Sequence, residues 1–162
     1  MIKEIKGDIF KEIASGKYDV ALHGCNCQKN MGAGLAKSFA EKYPQVEIVD
    51  QKFDKPHMGG FSVTDDPMTG TVLINVYSQY WYGKAFGAKG ALKSQKYSFD
   101  TKQKRYEAIQ KAFSILNKHY KHQHFLIPQI GAGLAGGDWK VIKKIITTAL
   151  KDCSITFVYY VN

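Results

Sequence analysis

The chain has 162 residues, about the size of one domain, and its 44% hydrophobic and 13% aromatic content is enough to bury a core and too high for a disordered segment. Lysine and arginine outnumber aspartate and glutamate by 23 to 14, a formal net charge of +9 that favours anionic ligands at long range. No apolar run approaches the roughly 18 residues of a membrane-spanning helix, and the opening MIKEIKGDIFKEI is too highly charged for a secretory signal, so a single cytoplasmic domain over 1–162 without membrane contact is expected.

Residues 2–6 and 18–23 read as strands, with a short helix, DIFKEIA, between them. Ala33, Ala36, Phe39, Ala40 and Tyr43 then recur at helical spacing until Pro44 ends the pattern. Strand-like segments follow near 46–53, 60–64 and 71–78, the last, TVLINVYS, being the clearest. Residues 79–100 are too polar and glycine-punctuated for a core element and too long for an ordinary connection. They read either as a lid or binding loop or as a solvated excursion. A helix is predicted over about 101–119, with Tyr106, Ile109, Phe113, Leu116 and Tyr120 on one face. The strand HFLIPQ, a glycine-rich loop, a helix bearing Trp139, Ile142, Ile145, Ile146 and Leu150, and the strand SITFVYYV complete the chain. Strands alternating with helices predict an α/β sandwich on a largely parallel sheet.

The pentapeptide GAGLA occurs twice, at Gly32–Ala36 and at Gly131–Ala135, each time after an apolar strand and before a helix. Glycine there permits a tight turn and lets a ligand approach the amides, and amides at a helix N-terminus suit an anion. In a parallel sheet both loops emerge at the carboxyl ends of strands, so together they are expected to grip the two halves of a diphosphate. The alternative is that both are merely tight strand-to-helix turns. No G-x-x-x-x-G-K-[ST] is present, and the G-x-G-x-x-G at Gly131, Gly133 and Gly136 lies too late for a dinucleotide-binding unit. Of the basic residues only Arg105 is an arginine. Since arginine is the usual bidentate partner of phosphate, backbone amides are the expected donors.

Cys25, Cys27 and Cys153 form an odd, sparse set that fits reduced thiols better than a disulfide framework. No metal is expected: His23, Cys25 and Cys27 alternate between strand faces, and no second ligand pair lies near. Asn26 reads either as a ribose-binding amide or as a brace for the loop that follows it. Asp138, before WKVIKK, reads as a helix N-cap or a catalytic carboxylate, and Asp8 is equally ambiguous.

GDIF near the start, the block HGCNCQKNMGAGLAKSFAEKYP, the strand end NVYSQ, PQIGAGLAGGDW and the closing TFVYY together resemble a macro domain, the ADP-ribose-binding α/β/α module. Within that family the chain is most similar to the ADP-ribose-1''-phosphate phosphatase type, related to the terminal ADP-ribose protein glycohydrolases. The resemblance implies a three-layer α/β/α fold on a mixed, largely parallel sheet, and ADP-ribose or ADP-ribose-1''-phosphate as ligand. It implies that Asp8 and the Ile9 backbone meet the adenine, with Tyr159 packed nearby. Asn26 and the amides of Gly32, Ala33, Gly34 and Leu35 would line the distal ribose and one side of the diphosphate. Gly131, Ala132, Gly133 and Leu134 would close over the other side.

Where the glycohydrolases carry a catalytic lysine and aspartate, this chain has Gln79 and Ala135. An amide and a methyl cannot replace an amine nucleophile and its acid/base partner. Release of phosphate from ADP-ribose-1''-phosphate asks for less: a held substrate, an in-line water and a stabilised phosphoryl group. Catalytic candidates for that step are His23 as acid/base, Asn26 and Asp138, with Ser78 and Gln79 as further positioners of water or phosphate. A non-catalytic ADP-ribose reader and an ADP-ribosyl hydrolase are the alternatives. A single-stranded nucleic-acid binder built on the aromatic and lysine-rich segment 79–105 is the less favoured reading. A monomer without a cofactor is expected.

Overall fold

The computed structural model describes residues 1–91, 97–133 and 135–161. Among them, six strands and five helices follow in the order β1 (Ile2–Lys6), α1 (Ile9–Ala14), β2 (Val20–Asn26), α2 (Gly34–Lys42), α3 (Pro44–Lys52), β3 (Phe61–Asp65), β4 (Val72–Gln79), α4 (Lys102–His119), β5 (His124–Ile127), α5 (Trp139–Ala149) and β6 (Ser154–Tyr159). The strands form one sheet in the order β1-β6-β5-β2-β4-β3. Every pairing is parallel except β3 with β4. The sheet is therefore mixed and largely parallel, as expected.

Period-two alternation along the strands divides the core between two faces. Val20 and Leu22 of β2 pack with Ile74, Val76, Phe125 and Phe157 against α4 and α5. Ala21 and Cys25 pack with Leu73, Tyr77, Leu126 and Val158 against α1, α2 and α3. Three layers result. Helix α5 shows why its sequence is helical: Ile142 and Ile146, four apart, are both fully buried. Each contributes about 1.5–3 kcal/mol relative to an exposed side chain.

The segment near 46–53 is helical, which corrects the strand expectation. Pro44 does not merely stop α2; it is the first residue of α3, where its missing N–H costs nothing. Val46 and Asp50, four apart, are the buried positions of that helix, a period that the β-branched residues Val46, Ile48 and Val49 had obscured.

Arg105 is not part of a basic surface. It is 6% exposed, and its Nε and Nη2 donate to the two carboxylate oxygens of Asp100 at 2.8 and 2.9 Å. Asp100 also accepts from the Trp81 amide at 2.8 Å, and Arg105 Nη1 donates to the Ala135 carbonyl at 3.4 Å. One buried ion pair thus ties the 79–100 excursion and the second glycine loop to α4. Residues 92–96 of that excursion, including two of its lysines, lie outside the described residues. No helix among the described residues is long and apolar enough to cross a membrane.

Candidate functional site

The chain leaves β2 for α2 and leaves β5 for α5, and β2 and β5 are neighbours. The connections run in opposite directions along the sheet, which opens a crevice at the carboxyl ends of these strands. Both copies of GAGLA line it. The cleft has a volume of about 570 Å³ and includes Gly32, Ala33, Gly34 and Leu35 from one side and Gly131, Gly133 and Ala135 from the other. Asn26, Ser78 and Gln79 lie between them on the ends of β2 and β4. A β-bulge between Cys25 and Asn26 shifts the register so that Asn26 faces Gln79.

The two loops are not equivalent. Helix α2 starts without a side-chain cap at Ala33, so its first-turn N–H groups lack the partner a Ser, Thr or Asp would supply. Its positive end opens on the cleft. Helix α5 is capped: Asp138 accepts from the Lys140 amide at 2.9 Å. Asp138 is exposed, does not line the cleft, and is placed as an N-cap rather than as a catalytic carboxylate. The second loop is closed by the Gly137 amide donating to the Gly131 carbonyl at 2.7 Å. Ala132 packs towards the core instead of the cleft, and Leu134 lies outside the described residues.

Asn26 is a brace as well as a wall. Its Nδ2 donates to the Asn30 carbonyl at 2.8 Å, and its Oδ1 accepts from the amides of Gln28 and Asn30 at 3.0 and 3.3 Å. Asn30 in turn takes the Gly32 amide at 2.9 Å, so that amide is engaged, contrary to its expected role as a ligand donor. Asn30 was missed because nothing in its spacing marks it; Gly24, Cys25, Gln129 and Ile130 were likewise missed as cleft walls. Tyr82, half exposed and stacked on Trp81 at 4.1 Å, brings the 79–100 segment to the cleft. Gln79 lines the cleft while its Nε2 donates to the Trp81 carbonyl at 2.6 Å.

His23 is not in the cleft. It is 1% exposed, stacked on Phe39 at 4.4 Å, and its Nε2 donates to Asn75 Oδ1 at 2.6 Å. An amide oxygen only accepts, so the proton sits on Nε2. Burial lowers its pKa to about 4, against a smaller opposing effect of Asn75. The hydrogen bonds run onward in one direction. Asn75 Nδ2 donates to Ser62 Oγ, Ser62 lies 2.9 Å from Tyr77 Oη, and Tyr77 donates to Asp50 Oδ1 at 2.7 Å. The imidazole heads a buried polar chain and does not line the cleft. The structure does not bring His23 to the cleft as the expected acid/base: the imidazole is buried, stacks on Phe39 and approaches the cleft through Cys25, whose Sγ lies 3.5 Å from Nε2 and 3.7 Å from Nδ1. Burial also pushes the Cys25 thiol up and that of Cys27 to about 12, which leaves neither activated as a nucleophile.

Asp8, Ile9 and Tyr159 do not line this cleft. Asp8 caps α1, accepting from the Phe10 amide at 2.9 Å. The Gly7 amide donates to the Tyr159 carbonyl at 2.8 Å, which puts the three residues together at the carboxyl ends of β1 and β6. The Tyr159 hydroxyl is engaged with Glu4 at 2.5 Å and Trp139 at 3.2 Å.

No family model matches the chain. A Saccharomyces cerevisiae protein named ADP-ribose 1''-phosphate phosphatase is 25% identical over 172 residues, 96% of each chain. The macrodomain of Thermus aquaticus DarG superposes with a TM-score of 0.69 over 98% of this chain and 97% of that one, at 17% identity. The fold is that of a macro domain. A Trypanosoma brucei macrodomain in complex with ADP-ribose has the same fold, with a TM-score of 0.64 over 97% of this chain and 63% of that one, at 10% identity. The macro domain resemblance carried by GDIF, the HGCNC block and the two GAGLA loops is thereby borne out.

Proposed function

We propose that this macro domain binds ADP-ribose across the carboxyl ends of its strands and hydrolyses ADP-ribose-1''-phosphate to ADP-ribose and inorganic phosphate. The observation that carries this reading is the convergence of both glycine loops on one cleft with Asn26, Ser78 and Gln79 between them. Strands lie about 4.8 Å apart in a sheet. In the order β1-β6-β5-β2, a diphosphate over β5 and β2 therefore leaves the nucleoside roughly 14 Å of sheet edge in which to reach Asp8, Ile9 and Tyr159. The yeast phosphatase and the ADP-ribose complex support the ligand class.

In the hydrolysis, water adds to phosphorus as the bond from phosphorus to the anomeric oxygen breaks, one proton of that water ends on the departing anomeric oxygen as the hydroxyl of ADP-ribose, and the other stays on inorganic phosphate. The uncapped start of α2 and the second loop's amides steady the phosphoryl charge, while Asn26, Ser78 and Gln79 orient phosphate and water. Cys25 and Tyr82 are the titratable residues among the described cleft walls. With no carboxylate, imidazole or ammonium group there, catalysis rests on positioning and charge stabilisation. That same observation favours a second reading, an ADP-ribose reader without turnover.

Calorimetric titration with ADP-ribose followed by a phosphate-release assay on the 1''-phosphate separates them. Binding with release supports the phosphatase; binding without release leaves the reader; no binding removes both. Asn26→Ala deletes the three hydrogen bonds that shape the first loop and is expected to weaken ADP-ribose binding about tenfold or more.

A further inference from the structure

A second concavity, of about 740 Å³, runs along the outer face between α4 and α5 and shares no lining residue with the ligand cleft. Its floor is the stripe Val141, Ile145 and Ala149, spaced four apart on α5 beside the stripe Ile142 and Ile146 that enters the core. Val141 is 40% exposed. Four lysines, Lys118, Lys140, Lys144 and Lys151, stand around this floor, and no carboxylate lines it. None of the four forms an ion pair among the described residues. The nearby Asp152 carboxylate is hydrogen-bonded to Asn117 at 2.9 Å and also feels the charges of Lys121 and Lys151.

We propose that this groove docks an acidic amphipathic helix of a partner protein, which packs across the outer faces of α4 and α5. The apolar stripe of α5 takes leucine-type anchors at heptad spacing, with the polar Gln110, Ser114 and Asn117 of α4 as the facing wall. The surrounding ammonium groups set the sign of the charge that must flank those anchors. Nucleic acid is the poorer match, because the described lining has no aromatic side chain for base stacking and no arginine, and phosphates held by the lysines would leave the apolar floor without a partner.

The test uses three fluorescent probes: a helical peptide with leucines at heptad spacing and glutamates elsewhere, its lysine counterpart, and an oligothymidylate. Anisotropy is read at low and at physiological salt, and amide chemical shifts locate each binding site. The glutamate peptide is expected to bind, to shift amides of α4 and α5, and to lose about tenfold or more in affinity in Lys140→Glu/Lys144→Glu. ADP-ribose binding by that variant should be unchanged, which shows that it is folded and that the groove is separate from the cleft. Equal binding of the lysine peptide, undiminished binding by the variant, or shifts of the same amides by the oligonucleotide alone would each overturn the proposal.

Discussion

His23 shows how one residue's chemistry is decided by burial. An imidazole at a strand end near a glycine loop invites an acid/base role, yet Phe39 covers it and Asn75 takes its only proton. With a folded pKa of about 4 and an unfolded value of 6.5, the native state binds fewer protons than the unfolded state between those limits. Its contribution is complete above pH 6.5 and is lost as pH falls towards 4, by up to about 3 kcal/mol. Chemical denaturation at pH 7.5 and pH 5 should show this loss, and His23→Gln should flatten the curve. An unchanged slope in the variant would place the titration elsewhere, with His124, also lowered by burial, as the next group to examine.

The second glycine loop shows which constraints belong to an element. A Cβ at Gly137 would sit 2.4 Å from the Gly131 carbonyl oxygen and 2.8 Å from Ile142 Cδ1, whereas one at Gly133 meets nothing within 4 Å. Gly137→Ala is therefore expected to cost about 1–3 kcal/mol, while Gly133→Ala leaves the melting temperature nearly unchanged. Thermal melts of the pair distinguish a loop held by close backbone approach from one that is merely glycine-rich. The ion pair of Arg105 and Asp100 fastens the same loop from the other side. Breaking it with Arg105→Ala should cost about 3–5 kcal/mol because a buried carboxylate is left unpaired. Arg105→Lys should recover only part of this, since an ammonium cannot reproduce the two-pronged contact. Denaturant midpoints for the two variants give the comparison. The helix α3 belongs at this scale too: its β-branched residues read as a strand when Pro44 is taken only as the end of α2, and as a helix once Pro44 is placed at the first position of a new one.

For the molecule as a whole, the proposed binding mode, with main-chain amides holding the nucleotide, predicts a ligand that stabilises the fold without depending strongly on salt. ADP-ribose at 100 times its dissociation constant should add about 2.7 kcal/mol, a rise in melting temperature of about 5–10 °C. Its affinity should fall only modestly as added salt shortens the screening length. A steep fall would instead implicate side-chain cations, and melting curves with titrations at several salt concentrations decide between the two.

Local chemistry was readable without coordinates: the alternation of strands and helices, the repeated GAGLA, the single arginine and the HGCNC block are patterns over neighbouring residues, and neighbours set propensity, turn geometry and the donors available. The meeting of the two loops required the placement of β5 beside β2, a pairing between segments about a hundred residues apart. Which polar side chains face a ligand depended on distance as well, because Phe39 and Asn75 enclose His23, Asn30 claims the Gly32 amide and the α5 amides turn to Asp138. Solvent access is a property of packed surfaces, and no spacing along one segment encodes which surface will cover it.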